Sequence, residues 1–571
     1  MSVAFPRVGP RAPLLALVVL AVGHLAMITT RTYRPGGDWA FIERRTSDVW
    51  STQFPLTGAW SRYGWNHPGP FLYDALAVPW LLTGGSWRGL WIGALALNLG
   101  AISVAWWLTA RHSTVAAAAL VTAACWTIAA GTPHLVSDPW NASVIVVPLV
   151  AVVAAAVAVR ADDRRGVAVA LVAFVAMAQT HVASGVLLLP VVALTSVVGV
   201  RRWRRFTLRW LGVGVAMCLP VLVDTLVNWP GNLWRAFRFT LTADEPAVGL
   251  AQTARVIGRA SSLTFFSSPR MPSFAAVVGD TPWGLAPFAG LVAGGVAWWM
   301  ARRRGWSWWQ HVLEATALVW LGGALMTWRT RGPLLVWLTT WTVAAAALTW
   351  CAVGGVAAQW LAARRERTLT PVRGPLIGVV AVGFAVTNVV GSVGVGYPFQ
   401  EFTPVVERFA NDARPLADEP VLVDLAGPAY EAGAVQSALI AELEGLGARA
   451  LGRPDQALQL GEHRVADSLG GRRLLVQVEP RTAPPPDAIV VSIWDPLEPA
   501  ERAEADSLVD GLTELLVGAG LADRTPLLAN EQAPLAAFDA PPEISARRGD
   551  FERLGILHAA GPRVVLYLID D

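Results

Sequence analysis

Residues 142–205 read ASVIVVPLVAVVAAAVAVRADDRRGVAVALVAFVAMAQTHVASGVLLLPVVALTSVVGVRRWRR. Three apolar runs, 142–160, 167–182 and 184–200, are separated by Asp162-Asp163-Arg164-Arg165 and by a break at His181, and they end on Arg201-Arg202-Trp203-Arg204-Arg205. Each run approaches the ~20 apolar residues with which a helix crosses about 30 Å of hydrocarbon. A helix that is apolar on every side has no face to offer water, and arginines at its ends mark where it leaves the lipid. This stretch predicts bilayer-spanning helices.

The same pattern recurs from Ala12 to Val395. Spans are predicted at 12–30, 88–109, 114–131, 142–160, 167–182, 184–200, 210–228, 283–301, 309–327, 332–362 and 375–395. Phe71–Leu82 follows Pro68-Gly69-Pro70, is too short to cross comfortably, and reads as a juxtamembrane or re-entrant helix. Composition agrees: 54% of the 571 residues are hydrophobic and 15% charged, where a soluble domain carries about a quarter charged residues. The mean hydropathy is +0.45. After Tyr397 charges and prolines return. The expected architecture is a polytopic α-helical membrane domain over residues 1–395, followed by a soluble α/β domain over residues 396–571.

Arginine placement orients the chain. The loops Ala110–Thr114, Arg160–Arg165, Arg201–Arg209, Ala301–Gly305 and Ala363–Arg373 hold the densest basic clusters of the membrane half. Positive loops stay in the cytoplasm, so about eleven spans are expected in the plasma (inner) membrane, N-terminus inside and C-terminal domain extracytoplasmic. Arg7 and Arg11 precede the run Ala12–Thr29, and a cleaved signal peptide competes here. The run's length, and the lack of a small-x-small site before the next charged segment, favour a retained first helix. All 45 basic residues are arginine and the net charge is +3. This composition does not indicate nucleic-acid binding. Cys125, Cys218 and Cys351 all lie in apolar runs and read as small core residues.

The long polar segments then fall outside: Arg31–Pro70, Pro230–Pro282 and the tail. In the first, Asp38 follows Gly36-Gly37, and Glu43 and Asp48 follow at five-residue intervals. On a helix each interval advances about 500°, so the three acids cannot share one site. Asp38, nearest the membrane, is placed to act as a general base on an acceptor hydroxyl. The plainer reading is a solvated loop helix in which Glu43 and Asp48 pair with Arg44 and Arg45. Arg62, Tyr63, Trp65, Asn66 and His67 follow. They suit a sugar or phosphate site, though Trp and Tyr alone also suit an interfacial aromatic belt. Bracketing of Asn66-His67 by turn formers implies a fixed geometry.

The turn Gly131–Asn141 carries His134 and Asp138. Asp138 reads equally as an oxygen ligand for a divalent cation, Mg²⁺ or Mn²⁺, or as a cap for the next helix. His181 and Asp224 lie at membrane depth, where an ionisable side chain is costly without a partner. Arg329 and Arg331 lie outward and suit an anionic lipid phosphate, or snorkel to headgroups.

An N-terminal helix, an outer loop opening with an acid, and a helix pair whose outer turn holds a second acid resemble the GT-C superfamily of polytopic glycosyltransferases. The likeness runs from Gly37-Asp38 through Pro68-Gly69-Pro70-Phe71-Leu72-Tyr73 and Leu90–Leu108 to Ser137-Asp138-Pro139. It is nearest the branch of protein O-mannosyltransferases and aminoarabinose transferases. The resemblance implies inverting transfer of a sugar from a polyprenyl-phosphate donor to an extracytoplasmic envelope acceptor. Asp38 matches that branch's base, and Asp138 an acid near the donor phosphate or metal. Arg44, Arg62, Arg329 or Arg331 would stabilise the departing phosphate, with His67 and His181 on the donor side. The branch's frequent Asp-Glu pair is here Asp38-Trp39, which leaves the base open among Asp38, Glu43 and Asp48.

In the tail, strands are predicted at Val421–Leu425, Arg473–Val478, Ala488–Ile493 and Val564–Ile569, and helices at Ala432–Leu446 and Ala500–Gly518. Gly461-Glu462-His463 and Trp494-Asp495-Pro496 read as turns. The rival functions are a transporter or flippase for envelope lipids, and a non-catalytic scaffold presenting the tail. The first would show internal repeats and midplane charges, which the sequence lacks; nothing in the residues excludes the second.

Overall fold

The computed structural model describes residues 11–262, 286–364, 373–416, 418–427, 429–467, 472–478, 485–529, 533–537, 540–558 and 560–570. The chain forms two compact units. One contains Met1–Arg31 and Arg45–Tyr397, the other Thr32–Arg44 and Pro398–Asp571.

The first unit opens with α1 (Arg11–Thr30); α2 (Asp38–Asp48) contributes its last residues to it. A two-stranded ribbon follows, β1 (Trp60–Ser61) against β2 (Trp65–Asn66). Then come α3 (Phe71–Leu82), α4 (Trp87–Thr109), α5 (Thr114–Ala130), α6 (Asn141–Val144), α7 (Pro148–Arg160), α8 (Arg165–Thr180), α9 (Val182–Met217), α10 (Leu219–Val227), α11 (Gly231–Thr242), α12 (Gly249–Ala260), α13 (Ala289–Arg304), α14 (Ser307–Arg329), α15 (Trp341–Arg364) and α16 (Arg373–Val393). Among the described residues, five stretches are long and apolar enough to cross a membrane: Arg11–Thr30, Trp87–Thr109, Asn141–Arg160, Val182–Met217 and Val336–Arg364. Phe71–Leu82, Thr114–Ala130, Arg165–Thr180 and Ile377–Val393 are shorter apolar helices.

Several boundaries differ from the sequence expectation, each for a local reason. The run 142–160 is two helices, because Pro148 lacks an N–H and starts α7 afresh. Runs 184–200 and 210–228 do separate at the arginine cluster, where Trp203 leaves helical geometry (φ −139°, ψ 53°) and α9 is two helices meeting at a kink; the second run breaks again near Pro220, in the first turn of α10. Residues 332–340 are not α-helical, since Gly332-Pro333 and a 3₁₀ turn precede α15. Arg7, residues 263–282 of the second outer segment, the start of the run at 283–285 and residues 365–372 of the last basic loop lie outside the described residues.

Within this unit α1 and α5 pack on α16, α8 on α7 and α9, and α14 on α9 and α15. Gly322 makes the α9–α14 approach possible, because a Cβ there would collide with the Leu187 backbone. Outward faces are bare hydrocarbon: Leu14, Val18 and Val22, one turn apart on α1, are 54%, 53% and 62% exposed. Such a stripe is a liability in water and costs nothing in lipid.

The second unit contains α17 (Thr403–Ala413), β3 (Val421–Ala426), α18 (Ala429–Gly445), β4 (Ala450–Leu451), α19 (Ala457–Leu460), β5 (Arg472–Val478), β6 (Ile489–Trp494), α20 (Pro499–Gly518), α21 (Pro542–Ser545), α22 (Arg548–His558) and β7 (Val564–Asp570). Its sheet order is β4-β3-β5-β7-β6. The pairs β4/β3 and β3/β5 are parallel, while β5/β7 and β7/β6 are antiparallel. The expected strands and helices of the tail are all present, with ends shifted by up to three residues. Helix α18 packs on β3, and α20 and α22 build a second core around Leu512, Leu516, Phe551 and Leu554.

Candidate functional site

Asp38 opens α2 and is half-buried. Gly37 adopts φ +55°, and a Cβ on it would lie 2.8 Å from the Phe399 ring. Its N–H donates to Ser437 Oγ at 2.8 Å, while Trp39 meets Phe399 edge to face at 5.9 Å. The Gly-Gly turn therefore sets the entry of α2 by backbone geometry that a side chain would disrupt. Further along α2, Glu43 and Arg44 are 6% and 8% exposed. Arg44 reaches Glu43 at 3.6 Å and Glu444 at 3.5 Å, and Arg464 Nε donates to Glu444 at 2.8 Å. Two guanidiniums and two carboxylates make a buried, near-neutral cluster.

In the helical unit Asp48 is 2% exposed and accepts from Arg45 at 2.8 Å. The β1–β2 ribbon carries the next group. Arg62 is exposed, lies 4.7 Å from the Tyr63 ring and donates to the Pro333 carbonyl at 3.1 Å. Tyr63 donates to the Arg331 carbonyl at 2.8 Å, so Arg62 and Arg331 meet around Tyr63. The guanidinium of Arg331 is turned to the carbonyls of Glu245 (3.2 Å) and Thr240 (3.5 Å). Arg329 is exposed and sits 5.8 Å from the Trp328 ring.

His67 and His181 come together although 114 residues apart in sequence, their ring centroids 4.4 Å apart. His67 Nδ1 accepts the Val182 N–H at 3.2 Å, which places its own proton on Nε2. His181 Nδ1 is buried without a hydrogen-bond partner among the described residues. Burial, and His181 beside it, hold His67 well below its usual pKa. It is a neutral imidazole, and so contributes a hydrogen-bond donor and not a charge.

The loop that carries His67 is clamped from α11. Asn66 N–H donates to Asn232 Oδ1 at 2.7 Å, and Asn232 Nδ2 returns to the Asn66 carbonyl at 2.6 Å. Asp224, buried at the end of α10, accepts from Asn232 N–H at 2.7 Å and from Asn228 at 2.9 Å. These donors offset the desolvation of its carboxylate.

Asp138 is 1% exposed. One oxygen accepts the Trp140 N–H at 3.0 Å and the other the Ser143 hydroxyl at 2.6 Å. It clamps the turn leading into α6. Among the described residues no three His, Cys, Asp or Glu side chains gather to hold a metal ion.

A second polar cluster did not stand out in the sequence. His24, buried in α1, contacts Ser137 Oγ through Nδ1 and Asn388 Oδ1 through Nε2, each at 2.9 Å. Arg31 donates to the carbonyls of Val393 (2.6 Å), Val395 (2.6 Å) and Ser392 (3.0 Å), closing the C-terminal end of α16. His134 Nε2 donates to the Val395 carbonyl at 3.0 Å, and burial pushes its pKa down to about 4. A histidine inside an apolar run was the available signal for His24, the same signal that singled out His181. A small pocket lies elsewhere, between α7, α9 and α14 and beside Arg160, His311 and Glu314; none of the expected site residues lines it.

No protein-family model matches the chain, and no curated protein matches it. Among solved structures the chain is similar to ArnT from Cupriavidus metallidurans bound to undecaprenyl phosphate, with a TM-score of 0.48 and 15% identity over 84% of this chain and 95% of that one. It is likewise similar to the same protein in the apo state, with a TM-score of 0.48 and 16% identity over the same shares.

Proposed function

We propose that this chain is a polytopic membrane glycosyltransferase that moves a sugar from a polyprenyl-phosphate donor to an extracytoplasmic envelope acceptor. Its orientation follows the arginine loops: N-terminus in the cytoplasm, about eleven crossings, and the tail and first loop outside. A lipid-borne donor calls for a site at the bilayer surface, where the β1–β2 ribbon and the helix ends carry polar residues.

The observation that carries the reading is the sorting of the first-loop acids. Glu43 and Asp48 are buried, 6% and 2% exposed, whereas Asp38 at the head of α2 is only partly buried. A general base must reach the proton it removes, and Asp38 is the acid with that access. It takes the acceptor hydroxyl proton, the oxygen bonds to the anomeric carbon from the opposite face, and the carbon–phosphate-oxygen bond breaks. The polyprenyl phosphate leaves with the electron pair. Within the helical unit, the exposed guanidiniums of Arg62 and Arg329 and the neutral Nε2–H donor of His67 are groups of the kind that stabilises such a charge. Arg44 and Arg331 act as positioning residues, their N–H groups already turned to carboxylates and carbonyls.

Purified protein given synthetic polyprenyl-phosphate sugars tests this. Asp38→Asn should lower kcat about 10²–10⁴-fold, the worth of a positioned general base, with the protein still folded. Undiminished turnover in that variant would remove Asp38 from the mechanism. Folded wild-type protein that transfers no sugar from any such donor would point to the alternative, a non-catalytic membrane scaffold or lipid translocator.

A further inference from the structure

Helix α11, Gly231-Asn232-Leu233-Trp234-Arg235-Ala236-Phe237-Arg238-Phe239-Thr240-Leu241-Thr242, has three faces. At about 100° per residue, Asn232, Ala236 and Phe239 share one arc and pack on the protein. Asn232 grips Asn66, and Phe239 stacks on Tyr63 at 4.4 Å. The next arc holds Leu233, Trp234, Phe237 and Leu241, which are 45%, 48%, 53% and 56% exposed. The remaining arc holds Arg235 and Arg238, both exposed, and the helix carries no acid. The bare apolar arc continues onto α10, where Leu222, Leu226 and Val227 are 48%, 76% and 71% exposed.

From this partition we infer that α11 lies in the plane of the bilayer interface and binds the phosphates of anionic phospholipid headgroups through Arg235 and Arg238. An apolar arc flanked by a basic arc is the arrangement of helices that bury one side at the headgroup–acyl boundary. Continuity with the lipid-facing side chains of α10 places the apolar arc against hydrocarbon, and the two guanidiniums complement headgroup phosphate. The third face gives the docking a consequence. Through Asn232, the depth of α11 in the interface sets the height of the Asn66-His67 loop above the lipid. The inference rests on membrane insertion and does not require glycosyl transfer.

Single nitroxide labels at Leu233→Cys, Phe237→Cys and Arg238→Cys, made in a Cys125→Ser/Cys218→Ser/Cys351→Ser background and reconstituted in nanodiscs, test the orientation. Labels at 233 and 237 should be relaxed by oxygen and shielded from a water-soluble nickel complex, and the label at 238 should show the reverse. Equal access of nickel to all three would place the helix in water. Shielding of 233 and 237 from both reagents would mean protein covers the arc. Either result overturns the inference. Headgroup binding is read from the association of spin-labelled phosphatidylglycerol relative to phosphatidylcholine. The double variant Arg235→Gln/Arg238→Gln should lose preference by about fivefold per arginine, the size of one basic residue's attraction to an anionic leaflet. An unchanged preference overturns the headgroup assignment. So does a preference that appears only when polyprenyl phosphate is added, which would give the arginines to the donor lipid. A failed glycosyltransferase assay leaves these readouts standing, so the two proposals fail separately.

Discussion

Asp138 shows what a buried carboxylate does when its partners are neutral donors. Both oxygens are satisfied by the Trp140 N–H and the Ser143 hydroxyl, in a residue 1% exposed. Asp138→Ala strands those donors, and a buried unsatisfied group costs about 1–3 kcal/mol. The expected result is a lower thermal midpoint in detergent, which Asp138→Asn restores only in part, because the amide accepts through one oxygen. His134 supplies a pH dependence. Burial lowers its folded pKa from 6.5 to about 4, so the unfolded chain takes up a proton between those values that the folded chain refuses. Its contribution is complete above pH 6.5 and is lost as the pH falls toward 4. Thermal unfolding at pH 7 and pH 5 should show a drop that His134→Gln reduces. Equal drops in both proteins would assign the acid sensitivity to other groups.

Among the elements, the end of α16 depends on a residue far away in sequence. Arg31 donates to three carbonyls of the terminal turn, those of Ser392, Val393 and Val395, and lies 5.0 Å from the Tyr397 ring. The last carbonyls of a helix lack intrahelical donors; that of Ser392 also takes the Val395 N–H at 3.2 Å. Replacing Arg31 by Gln is expected to cost about 2–3 kcal/mol, the range for hydrogen bonds from a charged group, and hydrogen exchange should accelerate at residues 392–396 while α5 stays protected. Helix limits follow the same logic of local donors. Ser86 and Ser113 accept N–H groups at the starts of α4 and α5, whereas Pro148 and Pro220 restart helices within runs that hydropathy alone reads as continuous.

Across the whole molecule, the proposed orientation predicts opposite labelling of two exposed positions. Ser507→Cys in the tail should react with a membrane-impermeant maleimide from outside intact cells, and Arg303→Cys only after permeabilisation; reversed labelling would invert the topology and with it the placement of the donor site. The apolar runs, the arginine clusters and the strand pattern of the tail were legible in the sequence because each is a local property: hydrocarbon thickness selects run length, charge selects loop side, and side-chain alternation selects strands. Pairings such as Glu43–Arg44 and Asp48–Arg45 were also open to reading, since they lie within one helical turn. The contact of His67 with His181, the grip of Asn232 on Asn66 and the link from His24 to Asn388 were not. Each joins residues more than 100 positions apart, and in an apolar interior a polar group's role depends on which distant partner the packing delivers to it. The sequence by itself determined that the chain is built for a bilayer and ends in an α/β unit. Which polar side chains are consumed in clamps and which keep access to a ligand was decided by tertiary structure, because burial and hydrogen-bond partnership are properties of the folded packing.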